Sequence, residues 1–336
     1  MGSFLQKMEC KDWEIDMKIL WLTIDRTNRV ASHIFAGLQQ AVRQLVHVDF
    51  VIRKPDTVAG TFCRQVVMQG RKLPSMINLD TVNDYDLVFT DAIFGFMSER
   101  WKDIKIPKAI LIEDQHGPMV RRYVEQAHNN FKFNIFCMRY KNATKKFHPY
   151  LNNHSIIWLP HSIPWEVFRD YGRQKPIGCL STGINNSKVY PIRAKIDKEL
   201  KNASFYKRIE RPSERMPGKG RAWPSGIDYA RLLNECKIAV GCTSRFGYPV
   251  MKLFEIPACA TALCSDFIPE LGELGFVPGK NMIEIKHTDN SKILIKKWLA
   301  SSQLEQITRN GYSLILERHT TEIRAKEFIA SMKKYI

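Results

Sequence analysis

Short apolar runs of β type alternate with longer amphipathic stretches twice over, between residue 17 and about residue 306. In the first round the strand-like runs are MKILWLTI (17–24), HVDFVIR (47–53), DLVFTDA (86–92), KAILIED (108–114), NIFCMR (134–139) and SIIWLP (155–160). Helix-like stretches fall at 29–45, after Gly117 and after Asn142. Near-continuous apolar runs mark strands buried on both faces, which requires covering helices and right-handed crossovers. A polar connector, WEVFRDYGRQKP (165–176), interrupts the pattern. The second round then follows: IGCLST, a helix from 191, SFYKRI, a Gly/Pro/basic loop at 211–226, the helix IDYARLLNEC, KIAVGCT, the helix PVMKLFEIPAC, ATALCSD, NMIEI and a helix at 291–301. The chain is thus expected to be α/β, with two Rossmann-like domains facing across a cleft. The boundaries are an extension at 1–16, domains at 17–165 and 166–311, and one long closing helix at the C-terminus, with 312–336 packing back on the first domain. At 336 residues and 44% hydrophobic composition there is material for two cores.

Several function classes are disfavoured at once. The first strand–helix turn, TIDRTNRVASH, lacks the glycines of a dinucleotide fingerprint, and PGKGRAW lacks the spacing and the Ser/Thr of a phosphate-binding Walker loop. The eight cysteines form no CxxC and no Cys/His grouping, so no metal site is expected from them. The acidic pair Asp84 and Asp86 precedes a strand instead of ending one, so no metal-dependent acidic pair is expected either. No run of about 18 apolar residues and no basic-then-apolar leader occurs, so the expected location is cytoplasmic, with any membrane contact peripheral.

The formal charge is +17, and between residues 188 and 221 eleven Lys/Arg face four Asp/Glu. Such a surface attracts polyanions: nucleotide phosphates, nucleic acid, anionic polymers or an anionic membrane face.

The stretch 237–279 holds the most chemistry. A strand ends in the polar turn Thr243, Ser244, Arg245, and Gly-Tyr-Pro opens a helix carrying Lys252 and, three residues on, Glu255. A positive helix end plus Lys252 suits a phosphate, and a carboxylate one turn behind suits ribose hydroxyls. The run PVMKLFEIPACATALCSDFIPELGELGF resembles the donor segment of CgeB-type (spore-maturation-like) glycosyltransferases, relatives of glycosyltransferase family four. STGINNSKVYPIR, GIDYARLLNECKIAV and LERHTTEIRAKEFI agree with it in order, and the likeness covers residue 177 to the C-terminus, with only the layout shared before that. The resemblance implies the two-domain GT-B fold, an acceptor domain followed by a nucleotide-sugar domain, and a UDP- or other NDP-sugar co-substrate with no resident cofactor or metal. It implies that Lys252 neutralises the donor diphosphate and Glu255 holds ribose or sugar hydroxyls, with Arg193, Arg245, Ser244 and Tyr248 as further donor-side candidates. Gly247 stands where family-four enzymes carry another Glu, eight residues before Glu255.

In the first half KAILIED runs into Asp114-Gln115-His116-Gly117, at the carboxyl end of a parallel strand where such sheets build sites. His116 and Asp114 are the catalytic candidates. Asp25, Arg26 and Arg29 in the first turn, and His161 near the connector, are acceptor-side candidates. The acceptor would be a hydroxyl, with DNA or a cell-wall polymer matching the charge. Two competing readings are a nucleic-acid-binding protein using 188–221 with Phe205, Tyr206 and Trp223 interleaved, and a nucleotide-sugar binder without turnover.

Overall fold

The structure, a computed structural model, describes residues 15–24, 32–53, 79–92, 99–151, 155–210 and 224–336. Asp25, Arg26, Arg29, Trp223 and nearly all of the 1–16 extension lie outside the described residues.

The first half contains β1 (Lys18–Ile24), α1 (Ser32–Arg43), β2 (His47–Arg53), α2 (Leu79–Val82), β3 (Leu87–Thr90), β4 (Lys108–Ile112), α3 (Pro118–Asn129), β5 (Ile135–Met138), α4 (Lys141–Phe147) and β6 (Ile156–Trp158). Its six strands form one parallel sheet in the order β2-β1-β3-β4-β5-β6. Alternate residues of the inner strands β1, β3, β4 and β5 feed two separate cores, which is why those runs are almost wholly apolar. Ile19, Trp21, Leu87, Phe89, Ala109, Leu111 and Ile135 face one side. Leu20, Leu22, Val88, Ile110, Ile112 and Phe136 face the other.

The second half contains β7 (Ile177–Gly183), α5 (Pro191–Leu200), β8 (Tyr206–Glu210), α6 (Gly226–Asn234), β9 (Cys236–Val240), α7 (Lys252–Ala258), β10 (Ala262–Ser265), α8 (Pro269–Glu273), β11 (Ile283–Glu284), α9 (Ser291–Leu299), α10 (Leu304–Arg318) and α11 (Thr321–Met332). Its five strands are again all parallel, in the order β11-β10-β9-β7-β8. Leu180, Ala239 and Leu263 serve one core, and Cys179, Ile238, Val240 and Cys264 the other. The six described cysteines are buried and unpaired, as small apolar residues would be.

The closing stretch is two helices, where the sequence suggested one. The break falls at His319 and Thr320: the Thr320 side chain caps α11, and the backbone there bonds to the residue just ahead of the connector, Ile163 N to His319 O (2.8 Å) and Thr321 N to Ile163 O (3.0 Å). A Thr that prefers to cap a helix outcompetes an unbroken amphipathic period. α10 packs Leu314 and Ile315 on the second domain, whereas α11 buries Ala325, Phe328, Ile329 and Met332 in the first. Phe328 meets Phe89 edge-on at 4.9 Å and Trp21 at 5.9 Å.

Candidate active site

In the second sheet the chain leaves β7 toward β8 on one side, while β9 and its successors lie on the other. The crevice beyond the carboxyl ends of β7 and β9 is therefore the switch point where open parallel sheets bind ligands. Three cations converge on the end of β7. The Lys252 ammonium donates to Thr182 O (2.8 Å) and Thr182 Oγ1 (2.7 Å). Arg193, buried on the first turn of α5, donates to Ile184 O at 3.3 Å and lies 4.3 Å above the Tyr190 ring. Arg208 donates to Gly183 O (2.6 Å) and Ser181 O (3.3 Å), and pairs with Asp197 at 2.7 Å. Gly183 makes this convergence possible: at φ +111° it adopts a conformation that side chains avoid. A Cβ there would stand 2.9 Å from an Arg193 nitrogen and 3.2 Å from the Lys252 ammonium.

Lys252 and Glu255, one helical turn apart, do not pair with each other. Lys252 swings to β7, while Glu255 stays buried beside Tyr229, whose hydroxyl meets Thr182 Oγ1 at 3.1 Å. Burial pushes the Glu255 carboxyl up, with Lys252 opposing. Burial, then Arg193, pulls the Lys252 ammonium down, with Glu255 opposing. α7 has only seven residues, holds Pro257 and begins at Lys252 without a side-chain cap, so the positive charge here comes from side chains and not from a helix end. Ser244 and Arg245 line an open pocket of about 360 Å³ with Pro191, Asp266 and Phe267, and this pocket does not reach Lys252 or Glu255. Ser244 Oγ accepts from Phe246 N at 3.2 Å.

The first domain meets this crevice through His116, on the turn between β4 and α3. Its amide donates to the Tyr248 hydroxyl (2.9 Å), its Nδ1 lies 3.2 Å from the same oxygen, and its ring stacks on Phe246 with centroids 3.9 Å apart. Tyr248 is buried and stacks on Tyr140 at 4.0 Å, so it braces the two domains instead of offering an open donor contact. The carboxyl edges of the two sheets therefore face each other. Asp114, on the same turn, keeps an exposed edge, and desolvation by the surrounding protein raises its carboxyl pKa while His116 opposes the rise.

His161 does not face the cleft. It is buried between Tyr140, whose hydroxyl is 3.2 Å from Nε2, and Phe254, and burial holds its pKa well below the usual histidine value. Its neighbours include Arg324, whose guanidinium lies 3.0 Å from His319 Nδ1, while His319 Nε2 donates to Leu274 O at 2.8 Å. Among the described residues of the basic segment, Lys188, Lys198, Lys201 and Lys207 are exposed and the other three cations are engaged. Arg193 is buried, Arg208 is paired, Lys195 is bonded to Glu199 and Ser291, and Phe205 and Tyr206 pack against a core. Arg208, Gly183 and Thr182 escaped the sequence reading because nothing in a strand pattern shows where a strand's end will sit.

The glycosyl transferase-like family matches residues 201–330, which include Arg208, Lys252 and Glu255. No curated protein sequence matches the chain. Among solved structures, HepE of Anabaena in complex with UDP and glucose is similar with a TM-score of 0.62 at 10% identity, over 95% of this chain and 100% of that one. A glycosyltransferase from Rickettsia africae gives 0.58 at 9% identity, over 96% and 99%. The pneumococcal O-GlcNAc transferase GtfA in complex with UDP and GlcNAc gives 0.50 at 10% identity, over 76% and 58%. The chain thus has the GT-B fold of two Rossmann-like domains, and its second half carries a glycosyl transferase-like domain.

Proposed function

We propose that this protein, a glycosyltransferase by fold and domain, moves a sugar from a UDP-sugar to an acceptor hydroxyl, and that it belongs to the CgeB-type group. One observation carries the reading: Lys252 and Arg193 converge on Gly183 at the switch point of the second sheet, opposite His116 at the edge of the first. UDP is the nucleotide that HepE and GtfA hold in their structures. Residues 17–165 form the acceptor domain and those from 166 through α10 the donor domain, so that α11 alone, and not the whole of 312–336, is the return segment.

In the transfer the acceptor oxygen bonds to the anomeric carbon as the bond from that carbon to the β-phosphate oxygen breaks. UDP leaves with the electron pair, and the acceptor proton passes to a base. Lys252 and Arg193 stabilise the charge growing on the leaving diphosphate, which needs no metal ion. Glu255 accepts from ribose hydroxyls. Tyr248 holds Nδ1 of His116, so Nε2 is the ring atom left to take or steer the acceptor proton. Asp114 supports the imidazole electrostatically. Calorimetric titration with UDP, and hydrolysis of UDP-glucose in the presence of a chelator, test the reading. Binding and chelator-insensitive turnover are expected; failure of UDP and other nucleoside diphosphates to bind would overturn it.

A further inference from the structure

The same cleft carries a second concentration of charge. From Gln115 to Pro149 there are seven Lys/Arg and one acid, Glu125. Arg139 is buried against Glu113, Lys141 pairs with Glu273 and Lys132 lies between α3 and β5, which leaves Arg121, Arg122, Lys145 and Lys146 exposed on α3 and α4 with no carboxylate paired to them among the described residues. Aromatic rings hold some of these cations in place. The Arg121 guanidinium lies 6.0 Å and the Lys146 ammonium 5.4 Å from the centre of Phe147. Phe147 meets Phe246 edge-on at 6.3 Å, and Arg245 lies 4.9 Å over Phe246 on the second domain. The strip therefore runs from one domain to the other past His116, which stacks on that same Phe246.

We infer that this strip seats the acceptor, and that the acceptor is a soluble chain bearing phosphate groups. The inference rests on the transferase reading above. Ring faces in the strip are already occupied: Phe246 by His116 and Arg245, Phe147 by Arg121 and Lys146. A stacking platform for bases would leave such faces open. Rings that instead pin cations give a row of preset positive charges, which suits phosphates and repays less to a neutral glycan. A phosphate resting on Arg121 or Lys146 brings the neighbouring hydroxyl of such a chain toward His116.

The test uses the full chain and linear inorganic polyphosphate as probe, with neutral dextran, phosphatidylglycerol vesicles and UDP titrated in parallel. The triple variant Arg121→Gln, Lys145→Gln, Lys146→Gln is compared with Lys292→Gln, Lys296→Gln, Lys297→Gln on α9, which loses the same charge elsewhere. The first triple should weaken polyphosphate binding at least about tenfold and flatten its salt slope by about 2, at roughly 0.7 per lost phosphate contact; the second should do neither. Equal losses in both triples, dextran bound as well as polyphosphate, or vesicles bound in preference to it would overturn the inference. Polyphosphate bound through α3 and α4 without UDP binding would sink the donor reading, and the acceptor role with it, and leave only a phosphate-binding strip; UDP binding with the two triples alike would overturn the strip and leave the donor reading standing.

Discussion

Lys252 and Glu255 share a buried site, and burial acts on them in opposite directions, lowering the ammonium and raising the carboxyl. A diphosphate needs the ammonium charged. UDP affinity should therefore be highest below the depressed pKa of Lys252 and fall as pH rises through it, well before the ordinary lysine value of 10.5. Lys252→Arg keeps its charge throughout and should abolish that decline; the same profile in the variant would place the titration on another group. Lys252→Ala and Glu255→Ala should each weaken UDP by about ten- to a hundredfold, or about 1.5 to 3 kcal/mol for a charge-assisted hydrogen bond. Gly183→Ala should weaken it too, because the added methyl displaces Arg193 and Lys252 from the end of β7; calorimetry on the folded variant decides. His116→Ala should lower turnover at least about tenfold while UDP affinity holds, and turnover at the parental rate would pass the role to Asp114.

Among the elements, α4 has no side-chain cap of its own, and the other domain supplies one. Buried Glu270 on α8 accepts from the amides of Lys141 and Asn142, both at 2.9 Å. Removing it leaves two donors without an acceptor, so Glu270→Ala should cost about 1 to 3 kcal/mol in urea unfolding, whereas Glu270→Gln, which keeps one acceptor oxygen, should lose less. Nothing in the sequence around Glu270 points to Lys141, because a cap borrowed across domains leaves no local trace. Both sheets, by contrast, were legible strand by strand, the inner strands because burial on two faces requires apolar residues along their length and the edge strands β2 and β8 from their shorter apolar and β-branched content. Spacing also put Lys252 and Glu255 on one helix, but it says nothing of rotamers, and the ammonium found carbonyls on β7 that no helical pattern reveals. The His319–Thr320 break went unread because apolar residues continue in phase on either side of it.

At the scale of the molecule, the return of α11 makes the first core depend on the last residues of the chain. Phe328→Ala should cost about 3 to 5 kcal/mol, as for a large aromatic removed from a packed core, and scanning calorimetry should show the first domain melting ahead of the second. A single transition displaced as a whole would mean that the domains unfold together despite the loss.

The polypeptide passes between domains at Ile163 and again at His319 to Thr321, and the two passages are bonded to each other. Two crossings set far apart would act as the pins of a door and leave one axis of swing. Set side by side, they form a single pivot, free to tilt in more than one direction. What selects the direction is then the set of contacts away from the pivot, chiefly Tyr248 on His116 and Glu270 on α4. Because displacement grows with the lever arm, the cleft rim farthest from Ile163 travels most for a given rotation, so the aperture admitting a bulky acceptor is governed by those few contacts away from the pivot.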